Sequence, residues 1–181
     1  LSDVRERVGL DGLYYAGSHG FEIEGPDRTM EHHEAASAKP ELREARRKIE
    51  ERFGDLEGLQ LEPKALALAV HYRRVDEGRA AEVMSAVEEL ARSFSHLKCT
   101  HGKKVVELRP DVPWDKGRAL RWVLERIVTD DEDVVPVYVG DDLTDEDAFR
   151  EISGDGISVL VGDHGQPTRA SYRLENVDQV R

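Results

Sequence analysis

Two adjacent carboxylates, Asp141 and Asp142, follow the run Val137-Tyr138-Val139-Gly140, and a third, Asp145, comes about one helical turn later. Hard cations such as Mg²⁺ take carboxylate and water oxygens in near-octahedral geometry. Burying neighbouring carboxylates without a cation is costly through repulsion and desolvation. The position suits a ligand site, because open α/β sheets bind ligands just outside the carboxyl ends of their strands. A helix amino terminus decorated with acids is the plainer explanation, since the helix dipole favours them. It accounts for Asp145, Glu146 and Asp147 but not for Asp141 and Asp142, so Asp141, Asp142 and Asp145 are the candidate Mg²⁺ residues.

A second group lies in Trp114-Asp115-Lys116-Gly117, where Lys116 opens a predicted helix. A lysine beside a carboxylate–metal site can hold a phosphoryl oxygen and offset charge that builds in a transition state. Alone it would read as a surface lysine. Its place one helix ahead of Gly140-Asp141-Asp142 makes it the candidate catalytic residue. His32-His33 resembles a metal pair, but no third ligand is near in sequence, and the segment reads as a polar loop. His71 reads as a packed strand residue.

These groups need a frame. Leu13 to Gly17 reads as a short buried strand, with Phe21 to Glu24 as a returning arm closed by Gly25-Pro26. The polar stretch 27–38 gives no clear assignment. Pro40 suits a first helical turn, Glu41 to Arg52 continues it, and Gly54 ends it. Ala65 to Arg73 alternates large and small residues with the period of a strand, and the small-residue face would let a helix pack closely. Val83, Val87, Leu90, Phe94 and Leu97 recur at helical spacing from about Arg79. Leu97–Thr100 and Lys104–Leu108 read as strands about a His101-Gly102 turn.

Pro110 and Pro113 mark a boundary. Beyond it the pattern predicts a helix over Lys116 to Val128, with Leu120, Val123, Leu124 and Ile127 inward. A buried strand over Val134 to Val139 follows, blemished by Pro136. Thr144 caps a short helix to Ile152 with Asp147 at its third position, and Gly156 to Val161 is another strand. Strand, helix and strand of this apolar kind imply a parallel sheet covered on both faces. The acidic run Asp130 to Asp133 reads as a solvated loop.

The 181 residues carry a net charge of −12, which argues against a nucleic-acid partner. No apolar run is long enough for a membrane helix, and no signal peptide is visible. Cys99 is the one cysteine, so a disulfide within the chain and a cysteine metal cage are excluded; a reducing, cytoplasmic setting fits. Cys99 lies in a predicted strand without the neighbours that activate a thiol. Oligomeric state is not legible.

A lysine opening one helix, then a strand ending in Gly-Asp-Asp-x-x-Asp, resembles the third and fourth motifs of the haloacid-dehalogenase superfamily. Longer strings narrow the resemblance to the trehalose-6-phosphate phosphatases. In order they are Gly17-Ser18-His19-Gly20, Lys64 leading into Ala69-Val70-His71-Tyr72-Arg73, Gly102 to Pro110, Asp115-Lys116-Gly117 and Gly140 to Asp147. The resemblance implies an α/β fold, a partial Rossmann-like core (1–26 and 108–181) with an inserted α/β cap domain (27–107). It implies Mg²⁺-dependent hydrolysis of trehalose 6-phosphate, with Asp141 on the metal and Asp142 and Asp145 holding the geometry. Lys116 would contact the nucleophile and the phosphoryl group. Lys64, Arg73, Lys103 and Glu107 would grip the sugar, and His19 and Gly20 would shape the pocket mouth. Sucrose-phosphate and mannosyl-3-phosphoglycerate phosphatases, or a non-catalytic sensor or synthase-fused domain, are the alternatives.

One departure matters. Superfamily members begin with a strand ending in Asp-x-Asp, whose first aspartate attacks phosphorus and whose second is the general acid–base. Asp3, Glu6 and Asp11 are the early acids here, and none ends an apolar strand. The expectation is therefore a piece of a longer enzyme, with weak Mg²⁺ binding, no turnover by itself and an open edge in its core sheet.

Overall fold

The computed structural model describes residues 1–128 and 134–181. The expected loop at Asp130 to Asp133 lies outside them. The chain divides into two compact units, Leu1–Thr29 with Trp114–Arg181, and Met30–Pro113. The sequence placed the divisions at 26/27 and 107/108. Neither unit has a helix long and apolar enough to cross a membrane among the described residues.

The second unit is a four-stranded antiparallel sheet backed by two long helices. Its strands are β4 (Gln60–Lys64), β5 (Ala67–His71), β6 (Leu97–Gly102) and β7 (Val105–Pro110), ordered β4-β5-β7-β6. A short strand (Thr29–Glu31, β3) and helix α2 (His33–Ser37) lead into α3 (Lys39–Phe53), while α4 (Glu77–Ser93) joins β5 to β6. Leu42, Ala45, Ile49 and Phe53 of α3 meet Val83, Val87 and Ala91 of α4 over Leu68, Val70, Val106 and Leu108. The Asp76 side chain caps α4 by accepting from Gly78 N at 3.0 Å, an interaction typically worth about 1 kcal/mol.

Several readings shift here. β4 was missed, and Ala65-Leu66 form the turn of the β4–β5 hairpin rather than the start of a strand. The helices pack on the large residues of β5, not on its alanine face, because more apolar area leaves water that way. The β6–β7 turn falls at Lys103-Lys104, two residues beyond the predicted one, with Lys104 at φ 63°.

The first unit contains α1 (Ser2–Val8) and an antiparallel pair, β1 (Tyr15–Gly17) and β2 (Glu22–Glu24). It also contains α5 (Lys116–Ile127), β8 (Val137–Gly140), α6 (Glu146–Glu151), β9 (Ile157–Val161) and β10 (Tyr172–Leu174). Strands β8, β9 and β10 form a parallel sheet in the order β10-β9-β8. The strand–helix–strand reading holds, and β10 is an addition to it. However, β8 begins only at Val137, after Pro136, and it is not buried. Val137 is 62% and Val139 46% exposed, since among the described residues β9 alone flanks β8. The expected open edge is thus present. Of the inward face predicted for α5, Leu120, Val123 and Leu124 are half-buried and Ile127 is 50% exposed, while Gly117 and Ala119 are its fully buried residues.

Leu68→Ala, inside the second unit's core, is expected to cost about 2–5 kcal/mol, and Val139→Ala on the open edge less than about 1 kcal/mol. Urea unfolding followed by circular dichroism checks this; equal losses would contradict the assignment of the two positions.

Candidate active site

The carboxyl end of β8 is shaped by one buried carboxylate. Asp145 is 4% exposed. Its Oδ1 accepts from Lys116 Nζ at 2.8 Å and from Tyr138 Oη at 2.8 Å. Its Oδ2 accepts from the backbone amides of Asp141 and Asp142, both at 3.0 Å. Four donors fill the four lone-pair positions of an ionised carboxylate. Asp142 caps the following 3₁₀ turn, Leu143–Asp145, as the first member of a capping box with Asp145. The cap expected of Thr144 with Asp147 is therefore displaced: Asp142 and Asp145 play those parts, and Thr144 donates its amide and hydroxyl to Asp142 Oδ1 at 2.7 and 2.6 Å.

Glycine makes this turn possible. A Cβ on Gly140 would lie 2.4 Å from Asp145 Cγ, and one on Gly117 would lie 2.4 Å from the Asp147 carbonyl oxygen. The first lets the carboxylate fold under the strand end; the second lets α5 sit close to α6. Lys116 is placed by the amino terminus of α5, where Asp115 caps the helix by accepting from Arg118 N at 2.9 Å. Its ammonium thus reaches Asp145, with a longer contact to Asp142 Oδ1 at 3.4 Å.

Burial works to raise the Asp142 carboxyl, but the Thr144 hydrogen bonds and the Lys116 ammonium hold it below the ordinary carboxylate range. Burial and the Asp145 hydrogen bond push the Tyr138 phenol far above its ordinary value, so Tyr138 is a donor to Asp145 at any physiological pH.

The donor chemistry suits a hard divalent cation. Asp141 has no hydrogen-bond or ion-pair partner for its carboxylate among the described residues, and Asp142 Oδ2 has none either. Two carboxylates with free oxygens fit Mg²⁺, which is bound by one or two carboxylates together with waters and substrate phosphates. Asp145 has no capacity left. Among the described residues no group of three or more histidine, cysteine or acidic side chains could hold a metal. His32-His33 forms no part of one: His32 caps α2, with Nδ1 accepting from Ala35 N at 3.4 Å, rather than lying in a loop.

Beside Lys116 is a cleft of about 370 Å³ lined by Tyr138, Ser18, His19 and Gly20, with Ala119 and Val123 as apolar floor. Ser18, His19 and Gly20 form a left-handed turn with φ of 49°, 59° and 84°. Trp114 Nε1 donates to the Gly20 carbonyl at 2.8 Å, fixing that turn against the start of α5.

The remaining sequence candidates fall in the second unit as two pairs. Lys64 Nζ donates to Glu107 Oε1 at 2.9 Å across β4, β5 and β7, and Arg73 Nη2 donates to the Lys103 carbonyl at 3.4 Å. His71 pairs with Glu62 at 2.8 Å. Sequence reasoning passed over Tyr138, although it is the lone polar tip in an apolar run. It also passed over Glu146, whose carboxylate accepts from Arg169 N at 2.8 Å and meets His164 Nε2 at 2.9 Å, tying the loop after β9 to the start of α6. Nothing local in the sequence announces that long-range clasp.

A haloacid dehalogenase-like hydrolase from Bacteroides thetaiotaomicron superposes with a TM-score of 0.64 at 15% identity, covering 95% of this chain and 75% of that one. A solved trehalose-6-phosphate phosphatase related protein gives 0.78 at 24% identity, covering 96% and 70%. The fold is that of the haloacid-dehalogenase phosphatases. The family profile Trehalose-phosphatase matches residues 1–178, and the trehalose-phosphate phosphatase of Mycobacterium marinum is 42% identical over 99% of this chain and 47% of its own length. The chain belongs to the trehalose-phosphatase family, and it spans about half the length of the curated relatives it matches.

Asp145→Ala is expected to cost about 3–5 kcal/mol, because it strands Lys116 and two amides at once. Hydrogen exchange at the Asp141 and Asp142 amides should accelerate in that variant and not in Asp142→Ala; unchanged exchange would remove Asp145 from the centre of the turn. A second expectation concerns Cys99, whose thiol is pushed up to about 11, chiefly by burial. Its alkylation near neutral pH should be about 100-fold slower than that of free cysteine, and comparable rates would reopen a chemical role for it.

Proposed function

We propose that the protein carrying these residues hydrolyses trehalose 6-phosphate to trehalose and phosphate with Mg²⁺, as part of trehalose synthesis in the cytoplasm. The observation that carries this reading is the Lys116 ammonium, held 2.8 Å from a saturated Asp145 beside the unpartnered carboxylate of Asp141. Family membership over nearly the whole chain supports it.

In this reading Asp141 and the free oxygen of Asp142 hold the Mg²⁺ ion. When bound, the ion neutralises charge on the phosphoryl oxygens. Lys116 binds a phosphoryl oxygen and offsets the charge that develops as the ester bond breaks. Asp145 keeps the ammonium in place, and Tyr138 keeps Asp145 in place. Ser18, His19 and Gly20 line the approach to Lys116. The attacking carboxylate and the general acid–base come from outside these residues. The strand bearing them would pair with the open edge of β8.

The second unit acts as the specificity cap. A disaccharide presents hydroxyls, and a pocket built to pair them rejects sugars that leave its polar groups unpaired. Lys64, Glu107, Lys103 and Arg73 supply donors and acceptors for that purpose. The 181 residues alone are expected to bind Mg²⁺ weakly and to show no turnover.

The test is phosphate release by a protein of the relatives' length containing these residues. Mg²⁺-dependent release from trehalose 6-phosphate, well above that from sucrose 6-phosphate or mannosyl-3-phosphoglycerate, is expected. Lys116→Ala should lower kcat by about 10²–10³-fold. Glu107→Ala should lower kcat/KM on trehalose 6-phosphate by about 10–100-fold and leave an aryl phosphate within about twofold. Robust turnover by the 181 residues alone would overturn the account of the nucleophile. Selective hydrolysis of another sugar phosphate would overturn the substrate.

A further inference from the structure

Two consecutive carboxylates beyond the end of β8 turn to different parts of the first unit. Asp145 faces the strand end and Lys116. Glu146, the next residue and the first of α6, reaches the segment that follows β9. Its side chain is 15% exposed and that of His164, which meets it, only 5%, although residues 165–169 are all exposed. Glu146 Oε2 accepts from Arg169 N at 2.8 Å, Oε1 meets His164 Nε2 at 2.9 Å, and the Thr168 hydroxyl donates to the same carboxylate. His164 Nδ1 accepts from Gln166 N at 3.3 Å, which leaves Nε2 as the donor of the ring. Burial works to raise the Glu146 carboxyl, but the hydrogen bonds from Thr168, the Arg169 amide and His164 hold it below the ordinary carboxylate range.

The helix that Glu146 opens needs outside support. It runs only from Glu146 to Glu151, too short to be stable by its own hydrogen bonds, and no side chain caps its amino terminus. Its middle is anchored by Ala148 and Phe149, both fully buried, with the Phe149 ring edge-on to Tyr138 at 5.8 Å between centroids. Its start is held by the Glu146 clasp. The segment on the other side of the clasp is fastened to β10 at its beginning, where Arg173 Nε donates to the Gly162 carbonyl at 2.9 Å and Arg173 Nη2 lies 2.7 Å from Asp163 Oδ2. The backbone at Glu146 also belongs to the turn that places Asp145. Asp145 N donates to the Asp142 carbonyl at 3.1 Å, and the Glu146 amide donates to the Leu143 carbonyl. A displaced Glu146 therefore displaces Asp145, the carboxylate that fixes two amides and the Lys116 ammonium.

We propose that Glu146 is a positioning residue of the site: by clasping His164, Thr168 and the Arg169 amide it fixes the start of α6, and through it the Asp145 carboxylate that places Lys116. Functional side chains keep their geometry only when the residues behind them are themselves locked by packing and hydrogen bonds. Glu146 acts through Asp145 and is not itself a ligand of the substrate. The competing account is a clasp that fastens the 164–169 segment and leaves the turn to Asp142 and Asp145 alone. The two differ in which amides loosen when the clasp is cut. The consequence for rate rests on the phosphatase reading above; the consequence for the turn does not.

The test is amide hydrogen exchange on the ¹⁵N-labelled 181-residue chain, without metal or substrate. In Glu146→Ala the Gln166 and Arg169 amides lose protection on either account. The Asp141 and Asp142 amides should accelerate as well, by about tenfold, while the amides of β9 exchange as in the unaltered chain. His164→Ala, which removes one donor and leaves both carboxylates in place, should give the same pattern at smaller size should Glu146→Ala fold poorly. His164→Gln, which can still donate to Glu146, should restore protection. Acceleration confined to Gln166 and Arg169 makes the clasp a loop fastener and overturns the proposal. Acceleration shared equally by β9 is a general loss of stability and also overturns it. In a protein of the relatives' length, Glu146→Ala should lower kcat by about tenfold, with KM for trehalose 6-phosphate within about twofold; an unchanged kcat removes Glu146 from the site. Turnover by the unaltered protein judges the phosphatase reading separately, and its absence would leave the exchange result standing.

Discussion

The candidate site depends on a carboxylate that cannot itself bind the substrate or the metal. Asp145 is buried and accepts from Lys116, Tyr138 and two backbone amides. A buried charge is tolerated only when it is fully paired, and here the pairing does structural work. The two amides fix where β8 ends, so the side chains of Asp141 and Asp142 project from a defined point. The Lys116 contact fixes the ammonium of a long, flexible side chain before any ligand arrives. Preorganisation of this kind is what makes an electrostatic contact useful in a transition state.

The sequence carried the local parts of this arrangement well. Gly140-Asp141-Asp142 and Lys116 were legible because residue types and spacing constrain them to a strand end and a helix start. The roles within the acidic cluster were less legible. Thr144 looked like the cap because threonine is a good one, yet Asp142 holds that position and Thr144 donates to it. A pattern such as Ser/Thr-x-x-Glu is satisfied by several overlapping windows in an acidic run, and only the backbone geometry chooses among them. The Lys64–Glu107 contact spans three strands and depends on register, which one sequence does not fix. The β4–β5 hairpin was missed because Leu61-Glu62-Pro63-Lys64 lacks alternation and carries a proline, a combination tolerated at a sheet edge.

Burial was misjudged where the sequence was most apolar. Val137, Val139 and Ile127 have the composition of core residues and are exposed. Hydrophobic pattern reports what a segment is suited to pack against, whereas exposure depends on whether the partner is among the residues present. The two disagree along one edge of one sheet and one face of one helix, both in the first unit. In the second unit, where helices cover the core face of the sheet, pattern and burial agree closely, as at Leu68, Val70, Val83 and Val87.

Lys116 in the first unit and Arg109 in the second stand in opposite surroundings. Lys116 meets a saturated, buried acid, so its charge is neutralised and its position set in the absence of ligand. Such a group contributes chiefly through placement, since the ion pair already lowers its free energy. Arg109 meets no acid among the described residues, and a buried donor without an acceptor is a standing cost to the fold. This division follows from which acids the strands and helices bring within reach of each cation, and so from register and capping rather than from the number of charges the chain carries.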